Sequence, residues 1–78
     1  MHVVLLAVDQ KLYEGEADMI VLPGDVGDLG ILDNHEPLMT SLREGTIRLY
    51  QKQAMVNEFP VGGGFARVDA KTCQVYVF

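Results

Sequence analysis

The stretch that decides the fold is PGDVGDLGILDNHEPL, which runs from Pro23 to Leu38. It places three glycines, two prolines, one of the two histidines and four of the eleven acidic residues around a short apolar segment, Leu29–Leu32. Glycine and proline at this density divide a chain into short elements joined by turns. Such a segment is compatible with a phosphate-binding loop, with a metal or catalytic site, or with a surface shaped for another protein. The rest of the chain decides among these three.

Length and charge limit the possible functions. A chain of 78 residues forms one domain, residues 1–78, and buries only about 60% of its unfolded surface, so a large enclosed catalytic pocket is not expected. The net charge of −5 opposes binding to nucleic acid and to anionic lipid headgroups. The opening MHVVLLAV lacks a basic segment and is far shorter than the roughly 20 apolar residues of a membrane span. We therefore expect neither a nucleic-acid partner nor direct membrane insertion.

The pattern of apolar residues predicts an all-β fold. Short apolar runs recur between Gly, Pro, Asp and Asn, and no window has the spacing of an amphipathic helix. So many short strands require two packed layers or a closed barrel, here a flattened two-sheet β-sandwich or barrel. The predicted strands are His2–Val8, Leu12–Glu14, Ala17–Leu22, Leu29–Leu32, Leu38–Leu42, Thr46–Tyr50, Ala54–Phe59, Val61–Val68 and Thr72–Phe78.

Three local patterns predict backbone features. Gly15 interrupts a strand and indicates a bulge or a sharp bend. The segment VDAKTCQV predicts a hairpin with Asp69 and Lys71 at its tip. The glycines of VGGGFARV lack a following GKS or GKT and a following helix, so they indicate a close approach of two backbones rather than a phosphate site.

Alternation along the strands indicates which faces are buried. In Thr46–Tyr50, Ile47 and Leu49 share one face, which is typical of a strand with one buried side. His2–Val8 and Thr72–Phe78 carry apolar residues on both faces. Their second face is either an apolar outer surface that binds a protein, or the inside of a barrel whose edges curl over it. The single cysteine, Cys73, lies in such an apolar run and is expected to be buried and inert.

No catalytic, cofactor or metal site is predicted. His35 lies beside Asp33 and Glu36, but the only other histidine is His2 and no HExxH motif is present. The one serine, Ser41, has no GxSxG context. A histidine of this kind is more often a loop residue held by backbone hydrogen bonds.

The segment YEGEADMIVLPGDVGDLGILDNHEPLMTSLREGTIRL resembles the signature region of the epsilon subunit of the rotary F-type ATP synthase, which is called delta in mitochondria. The later VGGGFARVDAKTCQVYVF resembles the end of the same β-sandwich domain, so the resemblance covers the whole chain. The positions that follow the family pattern, in order, are Tyr13, Gly15, Pro23, Gly24, Gly27, Asp28, Leu29, Gly30, Ile31, Leu32, His35, Pro37, Leu38 and Gly45.

The resemblance implies a flattened β-sandwich of about ten strands and a function without chemistry. It implies a rotor subunit of the central stalk, which docks the gamma subunit onto the polar loops of the membrane c-ring and couples ion-driven rotation to ATP synthesis. It implies a peripheral location, as part of the complex, at the cytoplasmic face of the energy-coupling membrane. The expected partners are therefore the gamma subunit and the c-ring.

Site residues follow from the resemblance alone. The expected c-ring contacts are Asp28, Asp25 and Asp33. The expected loop-shaping residues are Gly24, Gly27, Gly30, His35 and Pro37. The expected gamma-facing residues are His35, Leu6, Tyr76 and Phe78.

The sequence departs from the family pattern in three ways. Asn34 replaces a glycine of the usual Pro-Gly-His-Ala-Pro loop, and asparagine also tolerates the left-handed conformation. Asp28 replaces the more common glutamate and is one methylene shorter. The family's C-terminal pair of helices does not follow Phe78, which fits a naturally short member or part of a longer chain. Two other functions remain as alternatives, a stand-alone β-sandwich adaptor for another protein and a small-ligand module at VGGGF.

Overall fold

The computed structural model describes all 78 residues and contains nine strands and no helix, which confirms the all-β prediction. The strands are β1 (His2–Leu6), β2 (Lys11–Glu16), β3 (Met19–Gly24), β4 (Gly27–Leu32), β5 (Leu38–Leu42), β6 (Gly45–Gln51), β7 (Ala54–Val61), β8 (Gly64–Val68) and β9 (Thr72–Val77).

The strands form one curled sheet in the order β2-β1-β9-β8-β5-β3-β6-β7, with β4 paired to β3. All pairs are antiparallel except β1 with β9. The sheet turns at β3, which pairs with β6 over Met19–Val21 but with β5 only at Gly24. Its two terminal strands meet through side chains, because the rings of Tyr13 in β2 and Phe59 in β7 lie 5.9 Å apart. The curl thus produces the two facing layers of a sandwich from one sheet.

The core follows from strict alternation along the strands. Buried residues occupy every second position of β1, β6 and β9, and no buried residue is polar or charged. Ile47 and Leu49 are fully buried, as their pattern predicts. Cys73 is also fully buried, and burial raises the pKa of its thiol to about 11. The expectation of a buried cysteine is confirmed, and its inertness stays a prediction that the raised pKa supports, because the thiolate is the reactive form.

The predicted bulge at Gly15 is wrong. Gly15 pairs in register with Val3, whereas the bulge lies at Leu12, between the pairs Leu5–Tyr13 and Leu6–Lys11. Gly15 has a different role, because a Cβ at this position would lie only 2.9 Å from the hydroxyl oxygen of Tyr13. The glycine leaves room for the ring that meets Phe59 across the seam.

The other two backbone predictions are confirmed. The β8–β9 hairpin forms with the Asp69 amide donating to the Thr72 carbonyl at 2.8 Å. In VGGGF, Gly64 has φ +149° and a Cβ there would overlap the carbonyl oxygen of Tyr76 in β9. The glycine run is therefore explained by close packing of two backbones.

The β6–β7 hairpin contains a strained two-residue turn. Lys52 and Gln53 have φ of 52° and 67°, as a type I′ turn requires, but that turn strongly prefers glycine or asparagine. We expect Gln53→Gly to raise the free energy of unfolding by about 1 kcal/mol, because it removes the cost of a left-handed non-glycine residue. Urea denaturation measures the change. Ala54→Gly, one position later in β7, is the control and should lower stability by about 0.5–1 kcal/mol; a loss in both variants would contradict the turn strain.

Candidate functional site

An acidic hairpin projects from one end of the sandwich. Gly24 and Gly27 are the last pair of β3 and β4, so the turn between them consists only of Asp25 and Val26. Gly27 has φ +140°, and a Cβ at Gly24 would lie 2.8 Å from the Gly27 carbonyl oxygen. Both tip residues are exposed, and the Val26 side chain is 98% exposed. The glycines thus present a charged and an apolar side chain at the extreme end of the domain.

Asp28 lies beside this tip and is bound to the neighbouring β5–β6 turn. It pairs with Pro23 across the hairpin, and its Oδ1 accepts a hydrogen bond from Arg43 Nη2 at 3.2 Å. The Arg43 amide donates to the Pro23 carbonyl at 2.9 Å. Sequence reasoning missed both Arg43 and Val26. No sequence signal pairs Arg43 with Asp28, because the contact joins two turns 15 residues apart.

Asp33 lies apart from Asp25 and Asp28, so the structure does not bring the three acids together; its expected contact with a partner stays a prediction. It follows the last residue of β4, so it lies about 17 Å along the chain from Asp28. There its Oδ1 lies 3.3 Å from the Met1 amino nitrogen. The residues between the two acids form β4, which contains the predicted strand Leu29–Leu32 and holds the acids apart.

Gly30 is likewise not a loop-shaping residue. It lies in the middle of β4 and pairs with Val21. A Cβ at Gly30 would meet only Met19 Sδ, at 3.9 Å, so neither a turn nor a close approach requires glycine here. The apolar neighbours on this strand are Ile31, which is buried, and Leu29, which is half-buried.

His35 and Pro37 lie in the connection between β4 and β5. Asn34 adopts φ 64°, the left-handed conformation expected of it, and its amide donates to the Ala70 carbonyl at 2.8 Å. The half-buried His35 has Nδ1 2.7 Å from the carbonyl oxygen of Glu36. The connection therefore packs beside the β8–β9 turn, at the end that also holds Asp33.

A largely apolar surface lies on the outside of β1, β9, β8 and β5, where Gln74 and Arg67 stand between Val4 and Met39. Its central row consists of Leu6, Tyr76 and Phe65, which are successive cross-strand neighbours, and the last two rings stack with centroids 5.0 Å apart. Tyr76 and Phe65 are 37% and 42% exposed. We call this surface the outer face, and it comprises Val4, Leu6, Met39, Phe65, Tyr76 and Phe78.

The outer face resolves the alternatives for the two-sided strands. No edge of the sheet curls over it, since Met39 is 69% and Phe78 84% exposed. An open groove of about 640 Å³ lies over β5 and the start of β8, with Phe65 and Phe78 among its lining residues. Of the expected gamma-facing residues, Leu6, Tyr76 and Phe78 lie on this face, whereas His35 does not line the groove.

A charged cluster borders the outer face along β2. His2 Nε2 lies 2.7 Å from Glu14 Oε2, and His2 Nδ1 lies 3.1 Å from Glu16 Oε2. Hydrogen bonds to Glu14 and then Glu16 raise the pKa of His2 above its ordinary value. Hydrogen bonds from Lys11, at 2.6 Å, and from His2 lower the pKa of Glu14. This rim keeps carboxylates in solvent beside an apolar surface, as at many protein interfaces.

The structure offers no other chemical centre. No group of three or more His, Cys, Asp or Glu side chains is arranged to hold a metal ion. None of its elements is a helix with the length and apolar character needed to cross a membrane.

Comparison with known proteins gives one consistent family. The model of the ATP synthase delta/epsilon chain β-sandwich domain matches residues 1–77. The ATP synthase epsilon chain of Caulobacter vibrioides is 44% identical over 68 residues, which are 87% of this chain and 78% of that protein. The epsilon chain of Granulibacter bethesdensis is 37% identical over 71 residues, 91% of this chain and 53% of that protein. The chain thus spans about half the length of the Granulibacter protein and of several further ATP synthase epsilon chains, and more of the Caulobacter protein.

Solved structures share the fold at low sequence identity. A chain in the cryo-EM structure of Euglena gracilis mitochondrial ATP synthase, OSCP/F1/c-ring, aligns with a TM-score of 0.86 at 20% identity, covering 96% of this chain and 48% of that one. A chain of the Tetrahymena thermophila mitochondrial ATP synthase central stalk and c-ring aligns with a TM-score of 0.78 at 19% identity, covering 99% and 62%. At these identities the likeness shows the β-sandwich fold.

Proposed function

The chain belongs to the ATP synthase delta/epsilon β-sandwich family, and from this premise we propose that it is a non-catalytic rotor subunit of the central stalk. In this proposal it docks the gamma subunit onto the polar loops of the c-ring and couples ion-driven rotation to ATP synthesis. It acts as a peripheral part of the complex, at the cytoplasmic face of the energy-coupling membrane. Its own chain supplies binding surfaces and stiffness.

The observation that carries the proposal is the uncovered outer face. A stacked aromatic pair and several other apolar side chains share one face of a regular sheet with Gln74 and Arg67. Patches of this kind on a small domain mark protein interfaces, with aromatic residues at the centre and charges at the rim. Membership in the family selects the gamma subunit as the partner for this face.

The acidic hairpin is the proposed c-ring contact. Asp25 and Asp28 are exposed at one end of the domain, with Val26 between them in sequence. Carboxylates there attract polar or basic side chains of the c-subunit loops at short range, which favours a defined docking register. Asp33 lies at the far end of β4, so it takes no part in this end-on contact.

Torque transmission requires a domain that deforms little between its two contacts. Of 46 backbone–backbone hydrogen bonds, 38 lie within strands, and β3 joins the hairpin directly to the curled sheet. A load applied at the hairpin therefore reaches the outer face through the Gly24–Leu42 pair of β3 and β5 and then through the regular ladders of β5, β8 and β9.

The test is assembly with the cognate partners. We expect the chain to co-purify with gamma, and the resulting complex to bind the c-ring more weakly as salt rises. Asp28→Lys should weaken c-ring binding about tenfold while leaving gamma binding unchanged, because it replaces attraction by repulsion. Binding is measured by titration of detergent-solubilised c-ring into the gamma complex.

Asp33→Lys is the matched control, since it makes the same charge change at the other end of β4. Equal effects of the two variants would indicate general electrostatics and remove Asp28 from the site. A folded chain that fails to bind gamma would favour the adaptor, in which the same outer face binds a different protein.

A further inference from the structure

We propose that Arg43 is the positioning residue of the c-ring contact: it fixes the Asp28 carboxylate and joins the β3–β4 hairpin to the β5–β6 turn. The two turns then meet the ring as one rigid surface. This inference rests on the proposed docking of the hairpin end on the c-ring.

Arg43 contacts both turns with three groups. Its backbone amide donates to the Pro23 carbonyl at 2.9 Å. Its Nη2 donates to Asp28 Oδ1 at 3.2 Å, and its Nη1 donates to the Glu44 carbonyl at 3.4 Å. The guanidinium therefore reaches from the β5–β6 turn to the β3–β4 hairpin, and neither β5 nor β6 pairs with β4.

Asp28 depends on this contact for its orientation. β4 pairs only with β3 and leaves its other edge free, and no other side chain forms a hydrogen bond or ion pair with Asp28. The Asp28 side chain is 57% exposed, so without Arg43 it would sample several rotamers. Arg43 binds Oδ1 and leaves Oδ2 available to accept a hydrogen bond from the ring. A carboxylate held in one orientation loses less conformational entropy on binding than a free one.

The sign of the expected effect separates positioning from simple charge. Removing Arg43 makes this end more acidic, so charge alone predicts tighter binding to basic groups of the ring. Positioning predicts weaker binding, because Asp28 becomes mobile. An exposed ion pair contributes little to folding stability. If Arg43 had only a structural role, its removal would therefore change neither the folding stability nor the affinity for the ring appreciably.

The experiment measures c-ring affinity of the gamma complex carrying the wild-type chain, Arg43→Gln, Asp28→Asn or both substitutions. We expect Arg43→Gln to weaken binding about fivefold and to have no further effect when Asp28 is already asparagine. Arg43→Lys, which keeps one charged donor, should restore affinity to within about twofold of wild type. Arg48→Gln, which removes an arginine 3.9 Å from Glu58 on β7, is the control and should leave ring affinity unchanged.

Each other outcome overturns the proposal in a distinct way. Tighter binding by Arg43→Gln would show that Arg43 acts only through its charge. An equal loss with and without Asp28 would show that Arg43 contacts the ring directly. An unchanged ring affinity in Asp28→Asn would show that Asp28 does not contact the ring. Both the proposed docking of the hairpin end and the proposed role of Arg43 would then be wrong.

Discussion

Gly64→Ala is expected to destabilise the domain by about 3 kcal/mol or more, the largest single-methyl effect in this chain. Gly64 begins β8 with φ +149°, a conformation that residues with a Cβ rarely adopt. The added methyl group would overlap the Tyr76 carbonyl oxygen and lie 3.0 Å from Val77 Cα. Relief requires β8 and β9 to separate at the centre of the sheet. Chemical denaturation followed by circular dichroism measures the loss, against a total stability of about 4–12 kcal/mol for a chain of this length.

Gly30→Ala is the matched control, because it adds the same methyl group to a glycine in a strand. Its Cβ would meet only Met19 Sδ at 3.9 Å, and alanine reduces the entropy of the unfolded chain. We expect no loss of stability, or a gain of up to about 1 kcal/mol. If Gly64→Ala behaves like Gly30→Ala, the close approach of β8 and β9 is not the reason for the glycine.

Alternation made the core predictable from the sequence. Ile47 and Leu49 are buried because side chains on a strand point alternately to its two sides, and one side faces the other layer. The β8–β9 hairpin was predictable for a similar reason, since its turn is local and joins two apolar runs. These features depend on patterns of a few neighbouring residues, so they can be predicted from a single sequence.

Features that depend on contacts between residues far apart in the sequence were not predictable. Gly15 leaves space for the ring of Tyr13, which contacts Phe59 in β7. This contact forms only when the sheet has curled and brought β2 and β7 together. The sequence showed an unusual glycine and gave no reason to prefer ring packing over a bulge. The real bulge, at Leu12, has neither glycine nor proline to indicate it.

The candidate site divides in the same way. Asp25 and Asp28 lie close together at one end of the β3–β4 hairpin, because Gly24 and Gly27 close its turn locally, and their contact with a partner stays a prediction. The resemblance grouped Asp33 with them although Leu29–Leu32 was predicted as a strand, and in the structure β4, which contains that strand, separates the acids. Arg43 could be identified only from the folded structure, because its contact with Asp28 requires β3, β4, β5 and β6 to be in place.

Tyr76→Asp is expected to weaken binding to gamma about 100-fold, or about 2.7 kcal/mol, with the fold intact. Tyr76 lies at the centre of the outer face, paired with Leu6 in β1 and stacked on Phe65 in β8. An aromatic side chain in this position is the kind that contributes most to an interface. The substitution also places a charge where the partner would remove water. Titration of the purified chain into gamma measures the change.

Met55→Asp is the control for the loss of an exposed apolar side chain from a strand. Met55 is 49% exposed, more than Tyr76, but it lies on β7, at the other end of the sheet from β1 and β9. Because its substitution adds the same charge away from the outer face, gamma affinity should stay within about twofold of wild type. Equal losses in the two variants would mean that gamma does not select the outer face. A loss confined to Met55→Asp would place the gamma contact on β6 and β7, and the stacked pair of Phe65 and Tyr76 would then have to serve a different partner.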